Sequence, residues 1–291
     1  MTDQEARYDR IAEGYAAWWS PVHRPGTLGL LDEVAGEVAA GARQILDVGC
    51  GTGAMAADAV RRWPTVEVDG IDASAGMLEI ARLETASLGA GEAARLRYAQ
   101  AMADRLPFAD GRFDIALSAF VLQLVPSRFR ALREMRRVLR PGGRLAYVTW
   151  LRGGARFAGD DAYDAARLDV GLEPRWDDDE ALAGDATAED DIDDADPSND
   201  NVPSPEAAVA QLRRAGFSSV RARADQVVHP FTPEAYVGFV SRFDDEDEFA
   251  TMPGGTREAL EHRLLERLRA MPPERLVMRM PIVYASGVRT R

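Results

Sequence analysis

The sequence predicts an α/β fold: a doubly wound, mostly parallel sheet of seven strands. Three observations carry that reading. Between residues 42 and 151, short apolar runs alternate with stretches of helical periodicity, and parallel strands need such a crossover between them. One of those runs, Ile45-Leu46-Asp47-Val48, breaks into Gly49-Cys50-Gly51-Thr52-Gly53, and a helix-like Ala/Met segment follows. Aspartates also mark two strand ends, Asp47 and Asp72, and ligands of such sheets lie beyond the C-terminal ends of the strands.

Taken in order, residues 3–19 place Tyr8, Ile11, Tyr15, Trp18 and Trp19 at helical spacing. Ser20-Pro21 is expected to stop that helix. The aromatics suit either core packing or a lid over a ligand. A second amphipathic helix, 27–40, closes at Gly41. Beyond the glycine turn, 54–63 reads as a helix, 66–72 as a strand, 75–87 as a helix and 96–100 as a third strand. A fourth strand at 112–118 leads to a helix at 128–139, halted by Pro141-Gly142-Gly143, and a fifth strand at 144–150. Asp47, Asp72, Met102 and Ser118 all fall at or near strand ends.

Regularity breaks after residue 151. From 177 to 201 the chain is rich in Asp, Ala and Gly, as in a mobile or disordered loop. Asp194-x-Asp196-x-Ser198-x-Asp200 resembles a calcium loop, but a twelve-residue count puts Asn199 where glycine belongs and Pro205 where the bidentate acid belongs. Regular structure returns as a helix at 205–215 and a strand at 220–228. Helices at 232–241 and 256–271 follow, with an acidic linker at 244–248, and 277–286 is a last strand. The expected organisation is one domain, 1–291. It comprises a helical lid (1–41), a ligand-binding core (42–151), a partly disordered acidic insert (152–204) and a C-terminal part (205–291) with a helical cap near 231–272.

Composition narrows the function. The 291 residues, 46% hydrophobic, allow one α/β domain with decorations. Twelve acids and no base lie between residues 176 and 200, leaving only −1 of the net −13 for the rest of the chain. A near-neutral body gives no basic footprint for nucleic acid and no polybasic membrane patch. All 35 basic residues are arginine, which fits coding bias or salt and heat adaptation. A single cysteine, Cys50, excludes an internal disulfide and a cysteine-based zinc cluster, and no metal site is expected. The polar, acidic start is unlike a signal peptide, and no apolar run nears the roughly 20 residues that span a bilayer. A cytoplasmic protein, monomer or homodimer, is the expectation.

The glycine turn alone is ambiguous. Gly49-x-Gly51-x-x-Ala54, with Asp72 downstream, also fits a dinucleotide fingerprint and hence an NAD-type oxidoreductase. Three features argue otherwise. Asp47 would repel a pyrophosphate and suits a cationic ligand. Gly53 extends the run to Asp-x-Gly-x-Gly-x-Gly. Leu106-Pro107-Phe108, followed by Phe113-Asp114, is a pair that dinucleotide folds do not need.

With Tyr8-Asp-Arg-Ile-Ala-Glu-Gly-Tyr15, Gly70-Ile-Asp-Ala-Ser74 and Val138-Leu-Arg-Pro-Gly-Gly143, these pieces make the first 150 residues resemble class I S-adenosylmethionine-dependent methyltransferases. The resemblance is to the subgroup that includes quinone-biosynthesis and small-molecule enzymes, and Arg213-Arg-Ala-Gly-Phe217 resembles the family's late helix–strand junction. It implies a Rossmann-like sheet whose last strand is antiparallel beside the sixth, with S-adenosylmethionine as cofactor and S-adenosylhomocysteine as product. Gly49, Gly51 and Gly53, with Cys50 among them, would lie against the methionine moiety, with Asp47 at its ammonium. Asp72 would accept the ribose hydroxyls. Ala73 and Met77 would line the adenine, and Met102 with Ala103 would stand where relatives often hold its amino group with an acid, for which Asp104 is a substitute. Ser118 would edge the methionine end and Tyr15 would close over it. Some relatives carry histidines where this chain has Val121-Leu122-Gln123-Leu124, so the remaining catalytic candidates are His23, Gln123 and His229. The implied reaction is methylation of O, N or C on a small, partly apolar acceptor. That acceptor would sit among residues 1–25, the segment after Trp150 and the helices at 232–271. A cofactor-binding protein without transfer chemistry is the alternative.

Overall fold

Seven strands, seen in a computed structural model that describes residues 3–175 and 201–290, form one sheet. They are β1 (Gln44–Val48), β2 (Glu67–Asp72), β3 (Leu96–Gln100), β4 (Phe113–Ala119), β5 (Leu139–Trp150), β6 (Phe217–Pro230) and β7 (Val277–Arg289). Their spatial order is β3-β2-β1-β4-β5-β7-β6. Neighbours among the first five are parallel, and β7 runs antiparallel to both β5 and β6. The acidic stretch and its calcium-like spacing lie outside the described residues.

The helices are α1 (Asp3–Gly14), α2 (Ser20–Glu33), α3 (Ala35–Ala39), α4 (Ala54–Arg62), α5 (Ala75–Ala86), α6 (Ala90–Ala93), α7 (Arg128–Val138), α8 (Ala158–Asp169), α9 (Pro205–Arg214), α10 (Pro233–Phe239), α11 (Glu246–Thr251) and α12 (Gly254–Arg269). Alternate residues of each central strand face opposite sides, so both faces of the sheet must be covered. Ile45, Val68 and Leu117 pack under α2 and α4 through Leu30, Leu31 and Val60. Leu46, Ile71 and Ala116 pack under α7 and α9 through Leu132, Met135 and Leu212. A third apolar core lies beyond the strand ends, where Tyr163 of α8 meets Tyr236 and Phe239 of α10 and Leu260 and Leu264 of α12.

The leading aromatics do both things the sequence allowed. Tyr15, Trp18 and Trp19 pack against that third core, while Tyr8 and Tyr15 line a cavity described below. Ser20-Pro21 does not stop the helix. A π-turn, Tyr15–Trp19, joins α1 to α2, and the Ser20 N–H reaches back to the Tyr15 carbonyl. Pro21 then sits in the first turn of α2, where a missing N–H costs no helical bond.

Two other expectations are corrected. Residues 158–169 are not part of an irregular insert but form α8, and Val202 bridges Leu151 just past the end of β5. Residues 244–248 are not a linker, since a π-turn (Val240–Asp244) runs into α11. Their acids are ion-paired: Asp244 and Asp245 to Arg175, and Glu248 to Arg167 of α8. Neutralising those charges is what lets an acid-rich stretch fold against the core.

Candidate functional site

Strand order reverses between β1 and β4, and the glycine turn lies at that point. The N–H groups of Gly49 and Cys50 both donate to the Ile71 carbonyl, at 2.8 and 2.9 Å, which pulls the turn over the end of β2. Gly49 and Gly51 have φ of +74° and +52°, a region glycine enters at little cost. Their roles differ. A Cβ on Gly49 would stand 2.2 Å from Val121, whereas a Cβ on Gly51 would meet nothing within 4 Å. Gly51 is therefore where bare backbone faces open space.

Asp72 ends β2. Its carboxylate accepts the Gly51 N–H at 2.8 Å and the Ser74 N–H at 2.9 Å. Burial raises its carboxyl, opposed by those N–H groups. Ser74 Oγ accepts the Met77 N–H and so caps α5. The same Oγ donates to Asp9 of α1 at 2.5 Å, and the Gly76 N–H donates to that carboxylate too. One aspartate thus ties α1 to the turn that carries Asp72.

A cavity of about 340 Å³ opens there. Gly49, Gly51, Asp72, Ala73, Ser74, Met77, Met102 and Ala103 form one side, with Tyr8 and Tyr15 above. The far wall is apolar: Ala119 ends β4, and the loop after it supplies Phe120, Val121, Leu124, Val125 and Pro126. Phe120 has φ of +57°, and that single left-handed residue turns the loop.

A second hollow, about 40 Å³, shares Tyr15, Gly49, Gly51 and Ala119 with the first and adds Asp47, Cys50, Thr52, His23 and Arg24. Asp47 is 1% exposed, and neither carboxylate oxygen has a partner among the described residues. Burial, with the Asp72 charge second, pushes its carboxyl up to about 8. His23 Nε2 lies 2.7 Å from the Tyr15 hydroxyl while Nδ1 is unpartnered among the described residues. Burial pulls this imidazole down to about 4. Burial likewise pushes the Cys50 thiol up. An unanswered carboxylate in a dry wall favours a cation.

The two hollows bring together Tyr15, His23, Asp47, Gly49, Cys50, Gly51, Asp72, Ala73, Met77, Met102 and Ala103. Four expected residues line neither. Gly53 caps α4, and a Cβ there would meet Tyr98 and Ala81 rather than a ligand. Ser118 is spent within the sheet, donating to the Val48 carbonyl at 3.0 Å. Gln123 donates to the Phe120 carbonyl and accepts from Thr149 Oγ1 at 2.7 Å, so it fastens the loop to β5. His229 packs edge-on to Phe231, 4.6 Å between ring centres. Asp104 also lies outside the lining, so Met102 has no acidic substitute. Sequence reasoning missed Arg24, Thr52 and the wall at 120–126. Only the apolar run after β4 signalled the wall.

The downstream motifs prove structural. Asp114 accepts the N–H groups of Arg43 and Gln44 at the start of β1. The Leu106 backbone is held by Glu134 and Arg137 of α7. Among the described residues, no cluster of His, Cys, Asp and Glu is arranged for a metal ion, and no helix is long and apolar enough to cross a membrane.

Comparison with known proteins agrees with this geometry. A family model described as a methyltransferase domain matches residues 46–147. The ubiquinone/menaquinone biosynthesis C-methyltransferase UbiE of Geotalea daltonii is 40% identical over 106 residues, 36% of this chain and 44% of that protein. Demethylmenaquinone methyltransferase of Staphylococcus aureus is 46% identical over 99 residues, 34% and 39% of the two chains. The match thus spans less than half the length of these relatives. Among solved structures, Haemonchus contortus phosphoethanolamine N-methyltransferase 2 superposes with a TM-score of 0.55 at 16% identity, over 100% of this chain and 61% of that one. The YcgJ protein of Bacillus subtilis gives 0.52 at 19% identity, over 91% and 99%. These likenesses establish the fold.

Proposed function

We infer that this chain, which carries a class I S-adenosylmethionine-dependent methyltransferase domain over residues 46–147, moves a methyl group from that cofactor to a small, largely apolar acceptor. One observation carries the reading: the unpartnered carboxylate of Asp47, the bare backbone of Gly51 and the carboxylate of Asp72 line two hollows that share Tyr15, Gly49, Gly51 and Ala119. A cationic amino-acid arm, a thioether and a ribose diol need those three groups in that order. A pyrophosphate brings no cation to answer the buried Asp47 and would oppose its ionisation, which disfavours the oxidoreductase.

When bound, S-adenosylmethionine supplies a methyl group already activated by its sulfonium. The chain supplies alignment and a dry site. Asp72 and the Gly51 backbone fix the nucleoside. Met77, Ala73, Met102 and Ala103 give it apolar faces. Tyr15, held by His23, covers the junction of the two hollows. Phe120 packs on Trp150 with ring centres 4.3 Å apart, and Trp19 stands 6.0 Å from Trp150. With Val121 and Leu124 this apolar wall favours a flat, uncharged acceptor, and the quinone-type relatives support a ring of that kind. No general base is assigned to the loop after β4, because both ends of the Gln123 amide are occupied. The rival reading, cofactor binding without transfer, draws on that same occupied amide.

Titration calorimetry with S-adenosylmethionine and S-adenosylhomocysteine is expected to show binding to both. Transfer of a labelled methyl group to a reduced naphthoquinone separates enzyme from binder. Absence of cofactor binding would end the reading.

A further inference from the structure

We propose that the outer face of α7 and α9, beside the mouth of the larger cavity, docks on an anionic lipid surface. The inference rests on the reading of an apolar acceptor above and supplies the route by which such an acceptor arrives.

The fold gathers charge that a sum along the chain conceals. Helix α7 carries five arginines and one acid, and α9 carries two arginines and one acid, in a chain whose net charge is −13. Both helices cover the same face of the sheet. Arg133 and Arg214 lie over the half-buried Phe129 ring, 5.8 and 4.8 Å from its centre. Arg136 Nε donates to the Gly216 carbonyl just beyond α9 at 2.9 Å. Two helices far apart in sequence thus present one basic surface. The Leu106 N–H, bonded to Glu134, brings Arg105 to its border.

The nearby acids do not neutralise it. Glu134 and Asp110 are both taken by Arg137, Glu206 sits in the first turn of α9, and Asp104 precedes Arg105. Exposed Arg105, Arg130, Arg133 and Arg213 have no acidic partner among the described residues. By contrast, exposed Arg257, Arg263 and Arg269 of α12 each meet a glutamate. Like charges held together without an answer favour an anionic partner, and at physiological salt acids more than about 8 Å away are screened. What adjoins the arginines fits lipid better than an acidic protein. The cavity wall at Leu124, Val125 and Pro126 leads within two residues into α7, and Pro126 is exposed. Guanidiniums around an aromatic ring, next to an apolar opening, match the boundary between headgroups and acyl chains.

Co-sedimentation of the full chain with vesicles tests this. Binding to phosphatidylcholine mixed with phosphatidylglycerol is expected to exceed binding to phosphatidylcholine alone, and to fall as salt rises from about 0.1 M to about 0.5 M. Combining Arg130→Gln, Arg133→Gln and Arg213→Gln should weaken vesicle binding on the order of 100-fold, roughly fivefold per arginine. The same replacements at Arg257, Arg263 and Arg269 remove equal charge from an ion-paired surface and should weaken it by less than about threefold. Both variants should keep the wild-type affinity for S-adenosylhomocysteine in calorimetry; should the triple variant fail to fold, Arg130→Gln and Arg213→Gln singly read the same face. Equal losses in the two triple variants would reduce the attraction to net charge. A wild-type chain that ignores the vesicles, with or without binding polyglutamate, would leave at most a surface for an acidic protein. Each of those results overturns the proposal and leaves the methyltransferase reading intact. A chain that binds vesicles but no cofactor loses that reading alone.

Discussion

Asp47 has the strongest physical demand in the molecule. Its carboxyl is raised to about 8 by burial, so at neutral pH the ligand-free chain holds it protonated. A raised carboxyl favours the fold below its ordinary value near 4, and that contribution is lost as pH rises through about 8. Asp47→Asn should therefore stabilise the ligand-free chain above pH 8 by on the order of 2 kcal/mol, read from melting temperatures across pH. A cationic arm must also expel that proton. Cofactor affinity should accordingly rise about tenfold per pH unit from 6 to 8 and level off above, with proton release visible in buffers of different ionisation heat. In Asp47→Asn the slope disappears and affinity falls. The two glycines give a second residue-scale prediction. Gly49→Ala drives a Cβ into Val121 at positive φ and should cost roughly 2–4 kcal/mol of stability. Gly51→Ala pays only the backbone strain, about 1 kcal/mol, yet places a methyl in the cavity; cofactor affinity should drop at least about tenfold with little change in melting. Asp47, Asp72 and Gly51 were readable because a strand–turn–helix junction fixes the backbone before any tertiary contact is known. Ser118 was not, since one step along β4 exchanges the cavity for the sheet interior. Gln123 was not, because the positive φ at Phe120 redirects the loop.

At the scale of elements, α8 and the acid-rich π-turn and α11 hold each other. Arg167, only 7% exposed, forks onto Glu248 at 2.6 and 2.9 Å. The Tyr163 hydroxyl donates to Asp245 at 2.8 Å, and the Tyr236 hydroxyl to Asp160 at 2.5 Å. Glu248 is 40% exposed, so solvent screening trims the value of the fork. Arg167→Met should then cost about 1–2 kcal/mol. The loss belongs to the cap: hydrogen exchange should speed up across residues 233–269 while β1 to β4 keep their protection. These are also the elements least legible in the sequence. Asp160, Asp161, Asp164 and Asp169 run α8 into the acidic stretch that follows, and only knowledge of Tyr236, Arg156 and Arg267 as their partners distinguishes helix from insert. The sheet was legible for the opposite reason. Its central strands β1, β2 and β4 are buried on both faces, so apolar runs mark them without reference to any partner.

The whole molecule is a sheet with two covered faces and an aromatic cap, and the cavity lies where they meet. Tyr15 touches all three parts: it lines the cavity, bonds to His23 of α2 and packs on Phe243 with ring centres 6.0 Å apart. Asp9 ties the same leading segment to α5. A ligand in the cavity should thus stabilise more than the glycine turn. At a hundred times its dissociation constant, S-adenosylhomocysteine adds about 2.7 kcal/mol, which for a chain of this size should raise the melting temperature by roughly 4–6 °C. NADH, which brings a pyrophosphate and no cation for Asp47, should raise it by nothing measurable. Hydrogen exchange locates the effect. If α1 and the π-turn roof the cavity, residues 6–23 gain protection together with 45–77; protection confined to 45–103 would mean that the leading helix is packing alone and takes no part in holding the cofactor.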